Sequence, residues 1–151
     1  MRPAGSIADP SPPPMSLFVD TSIWYAAADS SDRSNSRAKA ILTSGEALLT
    51  SDHVLIETWT LLHHKLQREA AERFWEGLRS GIAVIETVGQ ADLEVAWDIG
   101  LAWRDQDFSI VDLTSFAVMQ RLGIDHVASL DEHFAVFRFG PKRRHSFTVV
   151  R

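Results

Sequence analysis

From Ser16 onward, short apolar runs alternate with longer stretches of helical periodicity. Leu17-Phe18-Val19 predicts a buried strand, closed by Asp20. Residues 23–28 and 33–43 predict two short helices, the second stopped by Ser44-Gly45. Ala47-Leu48-Leu49-Thr50 reads as the next strand. Ser51 or Asp52 then caps a helix that places Val54, Leu55, Thr58, Leu61 and Leu62 on one face. A further helix covers residues 67–79, and Ile82-Ala83-Val84-Ile85 follows as a strand. Residues 92–103 predict a helix with Leu93, Ala96, Trp97, Gly100 and Leu101 at core spacing. Residues 110–122 predict another, closed by Gly123 as a left-handed C-cap. Residues 126–130 and 147–150 complete the set of strands, the last at an edge. Strands separated by helices need crossover connections, so the expected fold is a three-layer α/β/α domain around a central, mostly parallel sheet. Sheets of this kind bind ligands beyond the carboxyl ends of their strands. Asp20 and Asp131 fall at such ends.

Composition narrows the picture. With 151 residues, 45% of them hydrophobic, the chain has enough for one domain with a true core. The absence of cysteine excludes disulfides, zinc-thiolate sites and thiol catalysis. No apolar run approaches a membrane-spanning length, so a soluble, cytoplasmic protein without a membrane partner is expected. Residues 1–14 are rich in Pro, Ser, Gly and Ala and are expected to be a disordered leader. The folded domain then runs over residues 15–151, and Met15 is an alternative start of translation. The net charge of −5 sits poorly with nucleic-acid binding until its distribution is considered. After Glu132 there is no acid, and Arg138, Lys142, Arg143, Arg144 and Arg151 follow. Two readings of that tail stand: a basic rim beside an acidic pocket, or a solvated terminus or partner-binding strip.

The acids carry the candidate chemistry. Asp20, Glu57, Asp112 and Asp131 each lie at or just past a strand-like run or in the first turns of a helix. Each has an innocent reading: Ser109-Ile110-Val111-Asp112 and Ser129-Leu130-Asp131-Glu132 match capping boxes, Asp20 can cap the first helix, and Glu57 can be an exposed helix residue. Together they are harder to dismiss, because carboxylates gathered at one rim repel and raise one another's pKa. A divalent cation removes that penalty, and oxygen ligands suit Mg2+ or Mn2+. The expectation is a metal-dependent enzyme acting on phosphates.

These residues resemble those of the PIN-domain ribonucleases, specifically the VapC toxin branch of bacterial toxin–antitoxin pairs. The resemblance covers nearly everything after Met15. It is carried by Leu17-Phe18-Val19-Asp20-Thr21-Ser22, by Glu57, by Asp107-Phe108-Ser109-Ile110-Val111-Asp112 with Ser115-Phe116-Ala117-Val118-Met119, and by Ser129-Leu130-Asp131-Glu132-His133-Phe134. It implies a PIN-like fold and a Mg2+- or Mn2+-dependent endoribonuclease that cuts RNA phosphodiester bonds. It also implies an acidic pocket of Asp20, Glu57, Asp112 and Asp131, with Asp107 as a candidate fifth acid, a homodimer, and a cognate VapB-like antitoxin. Asp20, Asp112 and Asp131 are expected as metal ligands, with Glu57 a ligand or the proton acceptor and Thr21 and Ser109 as supporting hydroxyls. Trp24 and Tyr25 either face a groove for the antitoxin or pack in the core. Two rivals remain: a metal-independent ribonuclease using histidine as acid and base, and a non-catalytic PIN-like domain that only binds a partner. An aspartyl phosphotransferase would need a second Asp where Ser22 stands.

Overall fold

The structure, a computed structural model, describes residues 16–151. The disordered leader expected over residues 1–14 lies outside the described residues. The chain opens with β1 (Ser16–Val19), α1 (Thr21–Ala28), α2 (Asn35–Leu42), β2 (Ala47–Ser51), α3 (Asp52–Lys65), α4 (Arg68–Arg79) and β3 (Val84–Glu86). It continues through α5 (Gln90–Ala102), α6 (Ile110–Leu122), β4 (His126–Ala128), α7 (His133–Val136), β5 (Arg138–Phe139), β6 (His145–Ser146) and β7 (Thr148–Val150). β1, β2, β3, β4 and β7 form one sheet in the order β3-β2-β1-β4-β7, and every neighbouring pair is parallel.

The order decides where a ligand binds. From β1 the chain winds outward through β2 to β3, then returns to place β4 on the other side of β1. Crossovers leaving β1 and β4 therefore diverge, and the crevice between them opens at the strands' carboxyl ends. Phe18 pairs with Leu49 on one side and with Val127 on the other, so β1 is central and all four of its residues are buried. Parallel strands covered on both faces read as unbroken apolar runs, which is what Leu17-Phe18-Val19 is.

Helix ends follow local chemistry. Ser51 Oγ accepts from the Val54 amide at 3.1 Å and starts α3. Gly123 closes α6 with φ 69°, a left-handed position that any Cβ would strain. Beneath the carboxyl side lies an aromatic core in which Phe116 stacks on Phe137 at 4.3 Å and meets Phe134 edge-on at 5.1 Å.

One expectation needs correction, and one stretch carries structure that was not expected. The helix α5 was expected to turn Leu93, Trp97 and Leu101 into the core, yet these are exposed; Ala96 is buried, and Gly100 lies against Leu113. Residues 133–146 carry structure that no periodicity signals: the short helix α7 and an antiparallel β5–β6 hairpin turning through Pro141–Arg143. Elements of two to four residues are too short to show a repeat.

Candidate active site

Asp20 occupies the N-cap position of α1 but makes no side-chain capping bond there. Its carboxylate turns across the crevice instead. Oδ2 accepts from Ser22 Oγ at 3.0 Å and from Ser129 Oγ at 2.9 Å. Ser129 follows β4, and Ser22 Oγ accepts from the Leu130 amide at 2.9 Å, so hydroxyls stitch the ends of the two central strands together. The expected Ser129–Glu132 capping box does not form: Ser129 Oγ accepts from the Asp131 amide at 3.0 Å, and α7 starts later, with Glu132 at its N-cap position. Asp20 is 4% exposed. Burial raises its pKa to about 6; the Ser129 and Ser22 hydroxyls pull it down, and the charge of Asp112 adds to the rise.

Asp112 does two jobs. Ser109 Oγ accepts from the Asp112 amide at 3.0 Å, and Asp112 Oδ2 accepts from the Ser109 amide at 2.9 Å, a closed capping box. The same Oδ2 accepts from His133 Nδ1 at 2.6 Å. Burial pushes its pKa up, against the Ser109 amide and His133, which lower it. Asp131 is half-buried; its Oδ1 accepts from the His133 amide at 2.8 Å and lies 3.2 Å from His133 Nδ1. Asp112, Asp131 and His133 offer donor atoms all within 4.8 Å of one another.

Glu57 enters from α3, the helix that leaves β2 at the same edge of the sheet. It is half-buried, and its pKa is raised first by burial and further by the charges of Asp112 and Asp131. The Thr21 hydroxyl offsets part of this without completing a hydrogen bond. Asp20, Glu57, Asp112 and Asp131 all line one cleft of about 520 Å³, together with Asp32, Tyr25, Lys65, Ser109 and His133. Asp107 is not brought in: it is exposed in the loop between α5 and α6 and does not line the cleft. Trp24 proves to be core, its Nε1 donating to the Val19 carbonyl at 3.2 Å, whereas Tyr25 reaches the cleft wall.

Sequence reasoning missed His133, taking it for an ordinary exposed or packed imidazole. Its signal was its place two residues after Asp131, where a carboxylate caps the amide of the residue that opens α7. The donor set fits a hard divalent cation: carboxylate oxygens converge, burial and then neighbouring carboxylates raise the pKa values of Asp20, Glu57 and Asp112, and Lys65 is the only lysine or arginine among the lining residues. Asp20, Asp112 and Asp131 would hold the ion, and His133 fixes the carboxylates of Asp112 and Asp131 beside it.

The acids of this cleft gather at the switch point of a parallel sheet, and the PIN-domain profile matches residues 17–140. The chain belongs to the PIN-domain family. Within it, the chain is 38% identical over 125 residues to the 23S rRNA-specific endonuclease VapC20 of Mycobacterium tuberculosis, in strains CDC 1551 / Oshkosh and ATCC 25618 / H37Rv, covering 82% of this chain and 95% of the relative. It is also similar to the crystal structure of M. tuberculosis VapC20, described as a sarcin-ricin loop cleaving toxin, with TM-score 0.75 and 35% identity over 79% of this chain and 92% of that one. These relatives bear out the PIN-like α/β/α fold and the ribonuclease-toxin function that the resemblance implied.

Proposed function

We propose that this VapC-like toxin hydrolyses ribosomal RNA endonucleolytically, in the manner named for its relative, with Mg2+ or Mn2+ held by Asp20, Asp112 and Asp131. The single observation that carries this is the convergence of four carboxylates, from four separate stretches of chain, on one cleft at the switch point of the sheet. When bound, the ion supplies a water of lowered pKa and neutralises charge on the leaving oxygen. Glu57, made more basic by burial, accepts the proton of the attacking water. His133 Nδ1–H holds Asp112 and Asp131 in register, and Ser22 and Ser129 hold Asp20. Lys65, at the cleft wall, meets a phosphate of the substrate. The products carry a 5′-phosphate and a 3′-hydroxyl.

Support for the substrate comes from the relative's 38% identity over 95% of its length. A VapB-like antitoxin silences the site by inserting an arginine among the carboxylates, which attract it for the same reason they attract a metal. The strip of exposed apolar side chains on α5 and at the start of α6 supports a homodimer. Among the described residues no helix is long and apolar enough to cross a membrane. Cytoplasmic action follows from a ribosomal target.

The test is cleavage of RNA carrying the sarcin-ricin loop by the purified protein, with Mg2+, Mn2+ or excess EDTA, followed by mapping of 5′ ends. A discrete cut that EDTA abolishes is the expected result. Undiminished cutting in EDTA with a 2′,3′-cyclic phosphate would overturn it in favour of histidine chemistry.

A further inference from the structure

The acid-free stretch after Glu132 folds into a feature that the cleavage chemistry does not use. β5 and β6 pair antiparallel, Arg138 against Ser146 and Phe139 against His145, and the turn between them carries Lys142, Arg143 and Arg144. All three are exposed. Among the described residues none of them is paired with a carboxylate, whereas Arg151 is bound to Glu132 and Arg138 to the carbonyls that end α7.

The turn is also oddly built for a simple connection. Lys142 and Arg143 have φ of 58° and 51°, consecutive left-handed residues with no glycine between them. Non-glycine residues rarely adopt this conformation, and an idle exposed turn would place Gly or Asn there. Here two long cations sit where the backbone disfavours them. The hairpin is anchored by Phe139, 4.7 Å from Phe147.

Its tip is linked to the catalytic end through packed rings. The Arg143 guanidinium lies 4.6 Å from the Trp103 ring. Trp103 lies 6.0 Å from Phe108, and Phe108 meets His133 edge-on at 5.3 Å. A continuous row of rings thus joins the basic tip to the imidazole that holds Asp112. The cleft itself is acidic, so phosphates beyond the scissile one need cations from elsewhere.

We propose that the turn over residues 141–144 is the RNA-backbone clamp of this nuclease. Lys142, Arg143 and Arg144 hold phosphates flanking the bond cut in the Asp20–Asp112–Asp131 cleft, and stacking on Trp103 keeps Arg143 in place. This rests on the ribonuclease reading above and explains how a chain of net charge −5 grips a polyanion. Contacts of this kind position RNA without reading its sequence.

The experiment uses the full chain carrying Asp112→Asn, so that RNA binds without being cut. A labelled ribosomal RNA hairpin is titrated by fluorescence anisotropy across a salt series. Adding Lys142→Gln, Arg143→Gln and Arg144→Gln together weakens binding at least ~10-fold at about 0.1 M salt, and flattens the slope of log affinity against log salt by about two. Arg144→Gln alone flattens it by about 0.7, and decides the matter if circular dichroism shows the triple variant unfolded. In the active protein the triple change lowers kcat/KM chiefly through KM. Unchanged affinity and slope overturn the clamp. So does intact RNA binding with lost antitoxin binding, which would make the turn a protein-docking surface. A wild-type protein that cuts no RNA would strike the ribonuclease reading instead, because the binding series needs no cleavage.

Discussion

At Asp20 the folded protein holds a proton more tightly than the unfolded chain does, since burial lifts the pKa from 3.8 to about 6. Stability from this group is therefore complete below about pH 4 and is lost as pH rises through 6, on a scale of ~3 kcal/mol. Metal-free protein should melt at a lower temperature at pH 7.5 than at pH 5. Asp20→Asn should flatten that dependence, and added Mg2+ should stabilise wild type more at pH 7.5 than at pH 5, because a cation competes with the proton. Scanning calorimetry checks all three, and an unaltered slope in the variant would count against the buried-carboxylate account. His133→Ala is expected to weaken Mn2+ affinity about 10- to 100-fold while leaving the fold intact, measured by titration calorimetry. The four acids were legible in the sequence because each stands beside an apolar run. His133 was not, since a single imidazole carries no pattern, and only folding shows that it bridges Asp112 and Asp131.

At the scale of elements, α6 shows why a structural reading and a catalytic one need not compete. The box between Ser109 and Asp112 starts the helix and at the same time fixes the carboxylate that faces His133. Ser109→Ala should cost about 1 kcal/mol in urea unfolding through the lost cap. It should also lower metal affinity, because a frayed first turn loosens the Ser109 backbone amide that holds the Asp112 carboxylate. Loss of stability with unchanged Mn2+ binding would show that the cap and the site are independent. Longer helices were readable because burial on one face imposes a period over eight or more residues, and the central strand β1 because burial on both faces makes it an unbroken apolar run. Helix α7 and the hairpin were not, for they are held by the aromatic cluster of Phe134, Phe137, Phe139 and Phe147, a tertiary contact with no local signature.

At the scale of the whole molecule, hydrophobic periodicity identifies an apolar face without saying what covers it. Leu93, Trp97 and Leu101 have core spacing, yet they lie open beside Ile110, with Trp97 65% and Ile110 67% exposed. Soluble monomers seldom leave such a contiguous strip in water, and a two-fold dimer covers the same patch on both copies at once. The strip runs along α5 to the first residue of α6, next to the turn that bears Ser109 and Asp112, so pairing through it would bring two acidic clefts toward a shared groove. Trp97→Glu tests this with little risk to the fold, because the side chain fills no core space. Wild type should sediment as a dimer at micromolar concentration and the variant as a monomer with an unchanged circular dichroism spectrum. A monomeric wild type, or a variant that still dimerises, would mean that another occupant covers α5.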